Sequence, residues 1–327
     1  MIEPPGRVLR RHGLSARKQW GQHFLRDLGV HAAIVHAAGA GPGDRVVEIG
    51  AGLGTLTAHL LQTGAEVWAI ERDRDLCEVL RAELGEDARF VLHEADAVRF
   101  DYATATAARA AVASSSSESG ASSESGAASE SGAVSESGAV SESGAASESG
   151  AASESGAPTL RPIIVGNLPY HLTGPLLFRL LEAHAVLGPW VVMIQREVAD
   201  RLCASPGNKT YGGITAALGR VRNIQGVMNV PPGAFLPPPR VDSAVIRLDP
   251  LPVPRGEVGD PAGYLALVRT AFQRRRKTLL NALGALGSRD QVRAWCDQAG
   301  VDPGLRPERL GPEEFAALQR AREADRA

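Results

Sequence analysis

At 327 residues the chain has room for one large domain and a smaller one, and its 44% hydrophobic content is that of an ordinary globular protein. Three scattered cysteines, Cys77, Cys203 and Cys296, make neither a disulfide framework nor a metal pattern, so a reducing, cytoplasmic setting without a bound metal is expected. The formal charge of −2 hides an asymmetry: residues 114–158 hold seven glutamates and no Lys or Arg, the remainder is net basic and points to a polyanionic partner, and no signal-peptide pattern or membrane-length apolar run is seen.

Residues 1–18, rich in Arg, Pro and Gly, read as a mobile basic arm. The following Lys18-Gln19-Trp20-Gly21-Gln22-His23-Phe24-Leu25 is too apolar for free linker and is expected to fold over something. Asp27 can cap a helix to about Ala38, closed by Gly39 and Gly41. Strands are expected at Arg45 to Gly50, Glu66 to Glu71 and Arg89 to His93, with helices at Thr55 to Gln62 and Asp73 to Leu84 between them. That alternation predicts a parallel, doubly wound α/β sheet. From about residue 103 to 158 the pattern stops. Ser-Glu-Ser-Gly-Ala recurs seven times at a six-residue period, too poor in large apolar residues for a core, and reads as a flexible insert.

Alternation resumes at the run Ile163-Ile164-Val165-Gly166, a buried strand. Helices follow at Pro175 to Leu187 and Glu197 to Ala204, a strand at Trp190 to Ile194, and a helix from Tyr211 to about Val221. Asn223 to Val230 and Val241 to Leu248 read as an antiparallel pair at the sheet edge, joined by a proline-rich stretch unable to join a ladder. Beyond Pro254 the texture is helical: Pro261 to Phe272, Lys277 to Leu286, Asp290 to Ala299 and Pro312 to Glu323. The predicted organisation is an arm over 1–18, an α/β domain over 19–253 and a helical domain over 254–327.

Asn167-Leu168-Pro169-Tyr170 leaves the carboxyl end of the buried strand, where open α/β sheets bind ligands. Asn167 offers an amide oxygen, Pro169 stiffens the neighbouring carbonyls, and Tyr170 offers a face for stacking. A planar base with an exocyclic amine, such as adenine, matches that set. Glu48-Ile49-Gly50-Ala51-Gly52-Leu53-Gly54 follows a strand and opens a helix, which suits a ligand approaching the backbone. Thr55 stands where a dinucleotide fingerprint wants glycine, and no Walker lysine is present, so S-adenosylmethionine fits better than a nicotinamide cofactor or a nucleoside triphosphate. Glu71 and Asp96, at the next two strand ends, can accept the ribose hydroxyls and the adenine amine.

On Gly21-Gln22-His23-Phe24-Leu25, Glu48-Ile49-Gly50-Ala51-Gly52, Glu71, Asp96, Asn167-Leu168-Pro169-Tyr170 and Phe235-Leu236-Pro237-Pro238-Pro239-Arg240-Val241-Asp242-Ser243-Ala244-Val245, the chain resembles the ribosomal RNA adenine N6,N6-dimethyltransferases of the small-subunit branch. The resemblance implies a Rossmann-like S-adenosylmethionine-dependent methyltransferase sheet with a small all-helical C-terminal domain. His23, Leu25, Gly50, Gly52, Glu71, Asp96 and Asn167 would line the cofactor pocket. Asn167 and the Leu168 or Pro169 carbonyl would hold adenine N6, between Tyr170 and Phe235. Arg274, Arg275, Arg276 and Lys277, read as opening a helix, would contact RNA phosphates. The implied substrate is two adjacent adenosines near the 3′ end of small-subunit ribosomal RNA, in the immature subunit, by a cytoplasmic monomer. A DNA adenine methyltransferase, or an assembly factor whose binding matters more than its catalysis, stays open on the residues alone.

Overall fold

The computed structural model describes residues 3–17, 21–106 and 160–326. The Ser-Glu-Ser-Gly-Ala repeat, read as a flexible insert, lies outside them. The helices are α1 Pro5–Arg11, α2 Leu28–Ala38, α3 Thr55–Leu61, α4 Arg74–Leu84, α5 Thr173–Glu182, α6 Arg196–Leu202, α7 Gly213–Gly219, α8 Pro261–Gln273, α9 Leu279–Ala282, α10 Arg289–Ala299 and α11 Pro312–Ala324. The strands are β1 Phe24–Leu25, β2 Arg45–Ile49, β3 Glu66–Glu71, β4 Phe90–Glu94, β5 Ile163–Asn167, β6 Trp190–Gln195, β7 Arg222–Val230, β8 Phe235–Leu236 and β9 Ser243–Pro250.

Seven strands form one sheet in the order β4-β3-β2-β5-β6-β9-β7. β4, β3, β2, β5 and β6 run parallel, and β9 and β7 complete the sheet antiparallel to their neighbours. The order reverses between β2 and β5, because the chain winds outward to β4 and then returns to the other side of β2. A crevice opens at such a switch point beyond the strand ends. Here it brings Gly50, after β2, opposite Asn167, at the end of β5.

β2 is buried along its whole length, and its alternation assigns each side chain to a face. Val47 and Ile49 join Ile164, Leu176 and Trp190 in one core cluster. Val46 joins Val67, Val165, Leu60 and Ile34 in the cluster on the other face. Glu48 shares that second face, a point taken up below. α2 begins and ends as its sequence predicts: the Asp27 side chain accepts from Val30 N at 3.1 Å, and Gly39 takes the left-handed conformation at φ 65°.

Three expectations are corrected. Residues 3–17 are folded rather than a free arm: Val8 and Leu9 of α1 are buried with Leu53, Leu76 and Val79, while Arg11 and His12 meet Glu83 at 2.6 and 2.7 Å. The basic character of the segment is therefore matched locally by carboxylates of α4. Secondly, the proline-rich connection does join a ladder. Phe235 and Leu236 keep their N–H groups and pair antiparallel with Leu25 and Phe24. Thirdly, Arg274–Lys277 form the turn between α8 and α9 and do not open a helix.

The C-terminal helices enclose a third cluster around Tyr264, Trp295 and Phe315. Tyr211, just before α7, and Ala216, within it, belong to that cluster, and the Tyr264 hydroxyl donates to the Ala216 carbonyl at 3.1 Å. The helical layer is thus keyed into the sheet layer through α7.

Candidate active site

A cleft of about 710 Å³ lies at the switch point, lined by the 21–25 segment, the glycine loop, residues 71–76 and residues 167–172. The glycine loop needs its glycines. Gly50, Gly52 and Gly54 all have left-handed backbones, at φ 73°, 60° and 77°. A side chain at Gly52 would press its first carbon to 3.4 Å from the Phe24 ring, and one at Gly50 would start 3.8 Å from the Asn167 carbonyl and fill the gap between loop and strand.

Glu71, at the end of β3, holds the loop in place. Its Oε2 accepts from Gly52 N at 2.9 Å, and its Oε1 accepts from Arg72 N and Asp73 N at 2.8 and 2.9 Å. Burial pushes this carboxyl up from its ordinary range, and the three backbone N–H groups pull it back in part. Asp73 caps α4 through Asp75 N and also accepts from Gln22 Nε2 at 2.8 Å and Arg17 Nη1 at 3.1 Å. Arg17 reaches Asp75 as well. Arg17 and Gln22 are thereby fastened along one wall of the cleft.

Asn167 stands at the other end. Its Nδ2 donates to the His23 carbonyl at 3.0 Å, which turns the amide so that Oδ1 is the group left to accept. The Pro169 carbonyl is already taken, accepting from Leu172 N at 2.9 Å and Thr173 Oγ1 at 3.2 Å. Of the two carbonyls named from the sequence, Leu168 is the one with capacity for a ligand. Tyr170 is anchored by its hydroxyl, 2.7 Å from Ser243 Oγ, and its ring lies nearly parallel to His23, at 23° and 6.0 Å between centroids. Burial raises the Tyr170 phenol, so it stays neutral near pH 7. His23 Nδ1 lies 2.8 Å from the Pro237 carbonyl, which can only accept, so Nδ1 carries the proton.

His23, Leu25, Gly50, Gly52, Glu71, Asn167, Leu168, Pro169 and Tyr170 all line this cleft. Two residues named from the sequence do not. Asp96 accepts from Val98 N at 3.0 Å and from Arg72 Nη1 at 3.4 Å, and of that pair it is Arg72 that lines the cleft. Phe235 is only 2% exposed and packs in the core cluster with Leu25 and Ala234, since its strand pairing with Leu25 turns the ring inward. The lining also includes Arg17, His31, Glu48, Asp73 and His171, to which the sequence reading gave no role. For Glu48 the signal was available: a carboxylate inside the otherwise apolar run Val46-Val47-Glu48-Ile49.

The basic stretch lies elsewhere. Gln273 to Lys277 and Asn281 line an open concavity of about 600 Å³. Arg274, Arg276 and Lys277 are exposed and make no ion pair among the described residues. Arg275 differs from them. It donates to the Lys209 carbonyl at 2.6 Å and to Glu308 Oε2 at 2.9 Å, and so braces the turn.

These features fit S-adenosylmethionine. The glycine cradle would be filled by any side chain, a carboxylate stands at the end of β3 for the ribose, and Thr55 stands where a pyrophosphate-binding fingerprint has its third glycine. Sheet and cleft together define a Rossmann-like S-adenosylmethionine-dependent methyltransferase. Comparison with known proteins narrows this. The profile of the family described as "Ribosomal RNA adenine dimethylase" matches residues 13–320, and the chain belongs to that family. The Ribosomal RNA small subunit methyltransferase A of Anaeromyxobacter sp. (strain K) is 42% identical over 318 residues, covering 97% of this chain and 96% of the relative. The protein of that description from Pseudomonas aeruginosa is 38% identical over 303 residues, 93% of each chain. Among solved structures, a dimethyladenosine transferase from Plasmodium falciparum superposes with a TM-score of 0.61 at 22% identity, covering 90% of this chain and 96% of that one, and shares the fold. No helix among the described residues is long and apolar enough to cross a membrane.

Proposed function

We propose that the protein dimethylates N6 of two adjacent adenosines near the 3′ end of small-subunit ribosomal RNA, acting as a cytoplasmic monomer on the immature subunit. The observation that carries the chemistry is the Asn167 amide. Its nitrogen is tied to the His23 carbonyl, and its oxygen is left to accept at a cleft continuous with the glycine loop. Two acceptors, Asn167 Oδ1 and the Leu168 carbonyl, would grip the N6–H groups, and Tyr170 would offer its face to the ring.

S-adenosylmethionine, when bound, supplies an electrophilic methyl group. The residues supply the rest. Adenine N6 is a weak nucleophile because its lone pair is delocalised into the ring. Accepting hydrogen bonds from its N–H groups lets that pair localise toward the donor. Holding both partners in line then contributes most of the acceleration, since orientation alone is worth an effective molarity of about 10⁵–10⁸ M. Glu71 would take the ribose hydroxyls with the lone-pair capacity left on Oε2. Gly50, Gly52, His23 and Leu25 would form the walls around the amino-acid end of the cofactor.

Residues 19–253 would carry this chemistry, and the helical region 254–327 would hold RNA. Arg274, Arg276 and Lys277 are the cations free to contact phosphates, which position RNA without reading its sequence. The adenine would be turned out of its strand to reach the cleft. Incubating the protein with labelled S-adenosylmethionine and immature small subunits, followed by nucleoside analysis, tests the reading. Label in N6,N6-dimethyladenosine is expected; label in DNA adenine instead, or none in small-subunit RNA, overturns it.

A further inference from the structure

Ser243 opens β9, ahead of the apolar run Ala244-Val245-Ile246. It is fully buried, and its backbone is locked into the sheet, opposite Gln195 of β6 on one side and Val230 of β7 on the other. Among the described residues its hydroxyl has a single partner, the Tyr170 hydroxyl at 2.7 Å, 73 positions away in sequence. A buried hydroxyl is tolerated when bonded and costs stability when it is not, so the pairing is a specific feature of the site.

The bond steadies a ring. Tyr170 is held at its root by the turn that follows β5, where Leu172 N donates to the Pro169 carbonyl at 2.9 Å. Ser243 holds it at its tip. A phenol held at both ends is restrained from tilting, so the face it turns to a base is set by the sheet as well as by its own loop.

That face matters unequally for two successive methyl transfers. Adenine N6 carries two hydrogens, and Asn167 Oδ1 and the Leu168 carbonyl would accept both. Each transfer forms an N6–C bond to the methyl as the bond from methyl to sulfur breaks; the electron pair stays on sulfur, and one N6 proton leaves for solvent. After the first transfer a single N–H is left for two acceptors, and the other acceptor faces a methyl group. Half of the hydrogen-bonded grip is gone, and stacking on Tyr170 carries a larger share of the alignment.

We propose that Ser243 is a positioning residue for the second methylation: by fixing the Tyr170 ring from the sheet, it holds monomethylated adenine in line once one hydrogen bond to N6 has been lost. The inference rests on the reading of this cleft as a site of adenine N6 dimethylation.

Time courses with the full chain, labelled S-adenosylmethionine and immature small subunits, resolved into N6-methyladenosine and N6,N6-dimethyladenosine, test it. Ser243→Ala should leave the first transfer within about threefold of wild type and slow the second about tenfold, the upper worth of one neutral hydrogen bond, so that N6-methyladenosine accumulates. Cofactor affinity by calorimetry should be unchanged, and the thermal midpoint should fall by only a few degrees. Tyr170→Phe removes the same bond from its other end while keeping the ring, and should shift the products in the same direction. The double variant should shift them no further than either single one. A product ratio unmoved in both variants, equal slowing of both transfers, or additive shifts in the double variant overturns the role of Ser243. If Ser243→Ala does not fold, Tyr170→Phe decides alone. A wild type that forms dimethyladenosine while the variants keep its product ratio refutes only Ser243; one that forms none removes the dimethylation reading as well.

Discussion

The cleft and the basic turn present their polar groups by opposite means. In the cleft, specificity is built from fixed backbone: three left-handed glycines, a carboxylate holding three N–H groups, and an amide turned by one carbonyl. At the turn between α8 and α9, three exposed cations stand in an open concavity and only Arg275 is anchored. Geometry that is fixed by few contacts fails abruptly when one is removed. Charge spread over exposed side chains fails gradually and responds to salt.

That contrast ranks the expected effects. Asn167→Ala should lower turnover by about 10²–10³, the typical cost of removing one preorganised hydrogen-bonding group, while the thermal midpoint and cofactor affinity change little. Methyl transfer within a few-fold of wild type would break the contrast at its strongest point. Glu71→Ala should come next, since it strands the N–H groups of Gly52, Arg72 and Asp73. Each buried unpaired donor costs about 1–3 kcal/mol, so cofactor affinity should fall about a hundredfold or more by calorimetry, with a lower thermal midpoint.

The buried carboxyl of Glu48 adds a pH dependence. Folded, it holds its proton up to about pH 8; unfolded, it releases it near its ordinary value of 4.5. The stability it contributes is whole below about pH 4.5 and drains as pH rises toward 8. Each pKa unit is worth about 1.4 kcal/mol, so the thermal midpoint of Glu48→Gln should gain on wild type by several degrees between pH 5 and 8. Parallel curves would mean the carboxyl is already ionised or solvated. Smallest, replacing Arg274, Arg276 and Lys277 by Gln should weaken RNA binding and flatten the log–log salt dependence by about 2. Arg275→Gln should instead lower the thermal midpoint and leave that slope nearly untouched. Equal slopes in the two variants would erase the distinction between anchoring and contacting arginines.

The sheet was legible because its strands are short β-branched runs punctuated by glycine and its helices carry their caps in sequence, as Asp27 and Gly39 do. That Asn167, Glu71 and the glycines would meet at one cleft was legible because they stand at the carboxyl ends of neighbouring strands. Phe235 and Asp96 were misplaced for a shared reason. Their orientation is decided by partners far along the chain, Leu25 for the one and Arg72 for the other. The N-terminal arm was misread because its basic residues show in composition, whereas the carboxylate of Glu83 that balances them is 71 or 72 residues away. Arg275 could not be told from its neighbours without Glu308.

The hydrogen bond from Asn167 to the His23 carbonyl spans 144 positions of sequence. The amide that would act on substrate is therefore aimed by a stretch of chain far from it in sequence, and it has no fixed aim until that stretch is docked beside it. A protein clipped before residue 26 would keep every strand of the seven-stranded sheet and every atom of Asn167, yet leave the amide to spin. Trimming the amino end should thus silence the enzyme while its fold persists, and supplying the missing peptide in trans offers a way to switch it back on.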